Sequence, residues 1–286
     1  MIKALAAVFL SSLSFAAVAE VFSNGAVKTS FTKDLGTQVR FTVLKIDMTK
    51  KDVDFFGQRR APNFGAPLPE TNTIFNIKEE KIEPAAVVTL RTTAKEFLGK
   101  KKSSVVFGVR PTRRPYSGKF ACPFGLFISN GAVVSSHKAR SFPVFAVRKS
   151  GAMEVSDKIM PVEYDTIRFA VPGDAVIRKG GVSRARSKTV KRPSCLAIGF
   201  TGDQKTLYVV SADNGVKYSG KGIVSLKEVD ELFEELGVTD ALLFDNTSAH
   251  HAAIFGVDAE GKPQQINKIG NSESSHSFAY CMGIAI

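Results

Sequence analysis

The sequence has little of what metal or thiol chemistry needs. Three cysteines and four histidines are spread over 286 residues, and none of them stand together at zinc-ligand spacing. An odd cysteine count leaves at least one thiol outside any disulfide. Cys195 and Cys281 lie in apolar, strand-like runs, where a cysteine is expected to be buried as a small hydrophobe. Low-complexity tracts are absent, and no segment after the N-terminus is apolar enough for a transmembrane helix. Acidic residues are scarce beside basic ones, 27 against 39, for a formal net charge of +12. That balance favours contact with an anionic polymer or a membrane surface, with general solubility an equally weighted reason for it.

What is present is enough apolar sequence, 44% hydrophobic against 23% charged, to bury a core in one large domain. The opening "MIKALAAVFLSSLSFAAVAE" combines one lysine, an apolar stretch too short and too serine-broken to span a bilayer comfortably, and Ala17-Val18-Ala19. This is the pattern of a signal peptide over residues 1–19, with a mature chain from Glu20 and a periplasmic or secreted location. Export would place the cysteines where disulfides are permitted.

Alternating or apolar runs predict strands at residues 39–47, 83–90, 103–109, 142–148 and 166–171. The segment "FFGQRRAPNFGAPLPETNTIFN" is rich in proline, glycine and asparagine and reads as a long surface loop. "RTTAKEFLGKK" predicts a short helix, and "PFGLFISNGAVV" two strands around an Asn130-Gly131 turn. The basic segment "RKGGVSRARSKTVKRP", residues 178–193, reads as an exposed loop. Its Arg184, Arg186 and Lys188 suit phosphate oxygens, although a solvated connection is the commoner use of such a run. Aromatic residues are not interleaved with these charges, so no nucleic-acid platform is expected.

The C-terminal third is the most legible. "SCLAIGF" and "KTLYVVSADNG" predict strands joined through Gly202-Asp203. "SLKEVDELFEELG" predicts a helix, with Ser225 and Glu228 as a capping box, Leu226, Val229, Phe233 and Leu236 as an apolar stripe, and Gly237 as the stop. "TDALLFD" is the next strand. Strand, helix and strand have the lengths of a β-α-β unit with parallel strands. Asp213 and Asp245 each follow the last apolar residue of their strand, which would bring both carboxylates to one carboxyl-terminal sheet edge, where ligands of such sheets bind. Two carboxylates there suit general acid–base or nucleophilic cleavage of a glycosidic bond. The alternative is that each only satisfies nearby turn N–H groups. His250 and His251 are adjacent and in a strand would point to opposite faces, which argues against a shared metal ion. A Ser248–His250–Asp245 relay lacks the nucleophile-elbow sequence. No metal and no cofactor is expected.

The order of "TTAKEFLGKKKSSVVFGVRP", "CPFGLFISNGAVV", "CLAIGF", "LYVVSADNG", "GIVSLKEVDELFEELG", "DALLFDNTSA" and "SFAYCMGIAI" resembles the phosphodiester glycosidase domain, from about residue 90 to the end. The resemblance implies an α+β fold with a mixed β-sheet core, few helices and a C-terminal β-α-β unit. Residues 86–286 would form the domain proper, and residues 20–85 strands and a long loop belonging to it. It also implies a glycan or sugar-phosphate ligand, Asp245 and Asp213 as the catalytic carboxylates, and Asn214, Asn246, Ser248 and His250 beside the basic residues in substrate binding. An anionic envelope polymer is a further expected partner. Three positions depart from the family pattern. Phe107-Gly108-Val109 replaces Asn-Gly-Gly, Cys195 stands in place of an arginine, and Asn246-Thr247-Ser248 replaces a triple glycine. Side chains where glycine lets a backbone approach a ligand obstruct that approach, so a non-catalytic module binding an anionic glycan is the alternative expectation.

Overall fold

A computed structural model describes residues 16–17, 27–34, 40–57, 89–90, 92–98, 104–109, 116–117, 120–121, 125–136, 141–185, 194–213, 224–245, 253–257, 260, 262–267, 277–278 and 280–285. Among these, an eight-stranded sheet dominates. Its centre is Cys195–Thr201, with Thr206–Asp213 on one side and Val238–Asp245 on the other. Arg40–Asp47, then Val27–Asp34 and then the short Ala16–Ala17 extend the first side, and Ala175–Lys179 and Val182–Ser183 the second.

Alternation along these strands explains why the sheet is covered on both faces. Leu207 and Val209 join Leu196, Ile198, Leu242 and Phe244 in one buried cluster, whereas Tyr208, Val210 and Ala212 join Cys195, Ala197 and Leu243 in another. Period-two side chains that are apolar at both parities make a strand two-faced. The second face is capped by helix α2, Leu226–Glu235, through Val229, Leu232 and Phe233.

The first face packs on two five-stranded sheets. One contributes Phe127, Phe145 and Phe169, and the other Phe55, Val105, Ile254 and Ile284. Phe55 stacks on Phe169 with ring centroids 5.5 Å apart, and Phe127 meets Phe169 edge-on at 6.4 Å. The short helix α1, Ala94–Leu98, closes the outer face of the second small sheet, where Leu98 packs with Val106, Phe255 and Cys281. Smaller pairings join Ser277–Phe278 to Thr92–Thr93, and Phe120–Ala121 to Thr89–Leu90 and Tyr116–Ser117.

The α+β architecture of mostly strand and few helices follows the sequence expectation. Strands expected at 39–47, 103–109, 142–148 and 166–171 appear as Arg40–Asp47, Ser104–Val109, Val144–Arg148 and Ile167–Pro172. Of the strand expected at 83–90 only Thr89–Leu90 lies within the described residues. Asn130 and Gly131 both take positive φ, 52° and 74°, as the two-residue turn between Phe127–Ser129 and Ala132–Ser135 demands.

The described start of the basic segment, residues 178–185, differs from its expectation as a loop, and residues 186–193 lie outside the described residues. Arg178 and Lys179 end a strand, Gly180-Gly181 turn it, and Val182–Ser183 pairs back. Arg178 is almost fully buried. Its neighbourhood explains this, because Asp230 of α2 supplies a buried counter-charge 2.9 Å from Arg178 Nη1.

The candidate active-site edge

Strand Cys195–Thr201 runs antiparallel to both of its neighbours, so Thr206–Asp213 and Val238–Asp245 run parallel to each other with one strand between them. Their carboxyl ends, Asp213 and Asp245, therefore reach the same edge of the sheet. Cys195 pairs with Ala212, one residue short of Asp213, and Leu196 pairs with Asp245. Two strand spacings of about 4.8 Å each put the two chain ends roughly 10 Å apart across the sheet, a separation of the order used by glycosidase carboxylate pairs.

The backbone at Asp245 is irregular. Leu196 faces Asp245 but Ala197 faces Leu243, so Phe244 is the extra residue of a bulge. A bulge resets the side-chain alternation and re-aims the residue that follows, which is why bulges gather beside functional sites. Asp213 is paired on its other side with Arg40.

Polar residues cluster beneath this edge, on the face turned toward the small sheets. Ser211 accepts a 2.8 Å hydrogen bond from Asn267 Nδ2, and Asn267 Oδ1 accepts one of 2.8 Å from the Ile254 amide. These bonds tie the end of Thr206–Asp213 to the start of strand Ile254–Val257, which follows the segment after Asp245. Ser194, just before the central strand, is fully buried, and its Oγ has no hydrogen-bond partner among the described residues. None of these three residues is distinguishable in the sequence from ordinary strand-end polar residues. The one available signal is that Ser211 interrupts the apolar parity shared by Leu207 and Val209.

Of the basic residues read as phosphate ligands, Arg184 places Nη1 2.8 and 3.0 Å from the two carboxylate oxygens of Asp157. Arg186, Lys188, Asn214, Asn246, Ser248 and His250 lie outside the described residues, as does Cys122. Phe107-Gly108-Val109 is the end of a strand laddered on both sides, with Phe107 opposite Ile254 and Met282, and Val109 opposite Tyr280. Cys195 is buried in the apolar cluster under α2, away from the polar face. Neither Cys195 nor Cys281 is in a disulfide, and burial, with a smaller contribution from Glu96, pushes the Cys281 thiol far above its ordinary pKa. Among the described residues no group of His, Cys, Asp and Glu is arranged to hold a metal ion, and no helix is long and apolar enough to cross a membrane.

The phosphodiester glycosidase family model matches residues 99–273. The chain belongs to the phosphodiester glycosidase family. Solved structures agree in fold. The catalytic domain of zebrafish N-acetylglucosamine-1-phosphodiester alpha-N-acetylglucosaminidase, auto-inhibited by its pro-peptide, superposes with a TM-score of 0.57 at 13% identity, covering 96% of this chain and 88% of that one. A hypothetical protein from Synechocystis gives 0.58 at 9% identity over 90% of this chain, which spans 62% of that structure's length. A putative exported protein from Burkholderia pseudomallei gives 0.55 at 9% identity, with 91% and 75% covered. No curated protein matches the sequence. In this family member Gly199 of "CLAIGF" has a packing reason, because a Cβ there would lie 2.7 Å from Val238 Cγ1 and 3.0 Å from the Asp240 carbonyl oxygen.

Proposed function

We propose that this family member engages a sugar-1-phosphodiester at the sheet edge formed by Asp213 and Asp245, with those two carboxylates as the acid–base or nucleophile–acid pair for cleaving the glycosidic bond. The observation that carries the reading is the shared edge, in which two parallel strands flanking one central strand both end in aspartate. One carboxyl group would protonate the leaving phosphate oxygen while the other attacks the anomeric carbon or activates water. The basic run around Arg186 and Lys188 supplies counter-charge for the diester. Asn246-Thr247-Ser248 after Asp245 favours a second reading, a non-catalytic module that grips an anionic glycan, because side chains there hinder close backbone approach.

Turnover of an N-acetylglucosamine-1-phosphodiester by the wild type and by Asp245→Asn decides between them. The expected result is slow wild-type turnover that falls by about a hundredfold or more in Asp245→Asn, the usual scale for losing a general acid or base. Equal, negligible rates with retained binding would leave the binding module. The same reading places the protein in the periplasm or outside the cell, from the signal-peptide pattern that ends at Ala17-Val18-Ala19. N-terminal sequencing of extracytoplasmic protein is expected to begin at Glu20, and recovery of Met1 would remove the export claim.

A further inference from the structure

We infer that Ser194 is a ligand-binding residue of this edge, donating or accepting a hydrogen bond with an oxygen of the bound sugar phosphate. The inference rests on the proposed function and adds a residue that neither the aspartate pair nor the basic run contains.

Three observations carry it. Ser194 is 0% exposed and its Oγ has no hydrogen-bond partner among the described residues, so neither these groups nor bulk solvent satisfy the hydroxyl. Buried polar groups without partners are rare in native proteins, and they mark places where a partner comes from elsewhere. Its position is the second observation. Cys195 pairs with Ala212 and Leu196 with Asp245, so Ser194, the residue just before the central strand, enters between the two strand ends that carry the aspartates. Thirdly, it falls on the face whose edge carries a polar pair, Ser211 and Asn267. Cys195 belongs to the cluster beneath α2 and Leu196 to the cluster between the sheets. By strand alternation the residue before Cys195 falls on the side of Leu196. Ser211 and Asn267 lie on that side and satisfy each other, which leaves Ser194 as the hydroxyl with spare hydrogen-bonding capacity.

A hydroxyl kept for a ligand and one kept for the fold respond oppositely to deletion. Where the hydroxyl has no protein partner, Ser194→Ala relieves an unsatisfied buried group and leaves the free protein as stable as before or more so. Ligand binding then loses one hydrogen bond, about a two- to tenfold weakening.

The test compares wild type, Ser194→Ala and Ser211→Ala by thermal denaturation, and titrates each calorimetrically with N-acetylglucosamine 1-phosphate, with N-acetylglucosamine and with inorganic phosphate. The expected result is an unchanged or raised Tm for Ser194→Ala with weakened binding of the sugar phosphate. Ser211→Ala, which strips Asn267 of its acceptor, is expected to lower Tm. A loss confined to titrations with inorganic phosphate assigns the contact to a phosphate oxygen, and a loss confined to those with N-acetylglucosamine to a sugar hydroxyl. A lowered Tm for Ser194→Ala with unchanged affinity overturns the inference and makes the hydroxyl structural. Absence of wild-type binding to all three probes overturns the proposed function itself, and the inference with it.

Discussion

At the residue scale, the feature with the largest energetic consequence is the pair formed by Arg178 and Asp230. The guanidinium reaches Asp230 Oδ1 at 2.9 Å, the Asp230 carbonyl at 3.2 Å and the Gly181 carbonyl at 2.8 Å. Its side chain is 4% exposed and that of Asp230 only 1%. Arg178 Nε and Asp230 Oδ2 nevertheless lack hydrogen-bond partners among the described residues, so the pair is held at a cost and cannot spare either member. Asp230→Ala leaves the buried guanidinium with only the half-exposed Glu234 carboxylate, 3.6 Å away, as counter-charge, and is expected to destabilise the protein by up to about 3 to 5 kcal/mol, read from denaturant unfolding. A loss below about 1 kcal/mol would show that water reaches Arg178. The sequence concealed this pair for a physical reason. Arg178 stands at the head of a run of cations that looks solvated throughout, and Asp230 sits beside the apolar stripe of its helix without breaking it. Only the packing of α2 over the sheet's second face removes both from water. Ser194, Ser211 and Asn267 were illegible for the same reason, since each acquires meaning from strands distant in the chain.

At the scale of elements, legibility followed the strength of local signals. The capping box is as the sequence implies: Ser225 Oγ accepts from the Glu228 amide at 3.3 Å, and Glu228 Oε2 accepts from the Ser225 amide at 2.7 Å. Gly237, at φ 73°, ends the helix in the conformation that glycine adopts without penalty. Ser225→Ala removes the cap and is expected to cost about 1 kcal/mol. Because α2 covers one face of the sheet rather than lining the candidate site, ligand affinity at saturating stability should not change. A Tm shift accompanied by a large affinity change would tie α2 to the site directly. The parallel relation between Thr206–Asp213 and Val238–Asp245 was readable from element lengths, but the strand inserted between them was not. "SCLAIGF" announced a hairpin with its successor, and nothing local states that its second edge is taken by a strand arriving after the helix. The bulge at Phe244 was equally hidden, since it is a mismatch of register between two strands and not a property of either.

For the whole molecule, the decisive quantity is the excess of positive charge, 39 basic residues against 27 acidic, set against a candidate edge that ends in two aspartates. Under the proposed function an anionic ligand is attracted to the protein as a whole yet meets carboxylates at the edge, which requires cations for its phosphate while its sugar faces the acids. Arg184 is partly neutralised by its contact with Asp157, so the proposed function assigns that task to Arg186, Lys188 and their neighbours. Binding of a polyanionic glycan is therefore expected to weaken steeply as salt rises, because the screening length falls from about 10 Å at 0.1 M to about 3 Å at 1 M. Replacing Arg186 and Lys188 together by alanine should flatten that dependence, whereas Arg184→Ala should change it less, its charge being already opposed. Asp157→Ala provides the converse check, since it releases Arg184 and is expected to raise affinity at low salt. Affinity independent of ionic strength in all of these variants would show that the basic surface serves solubility alone, and would leave recognition to the neutral face of the sugar.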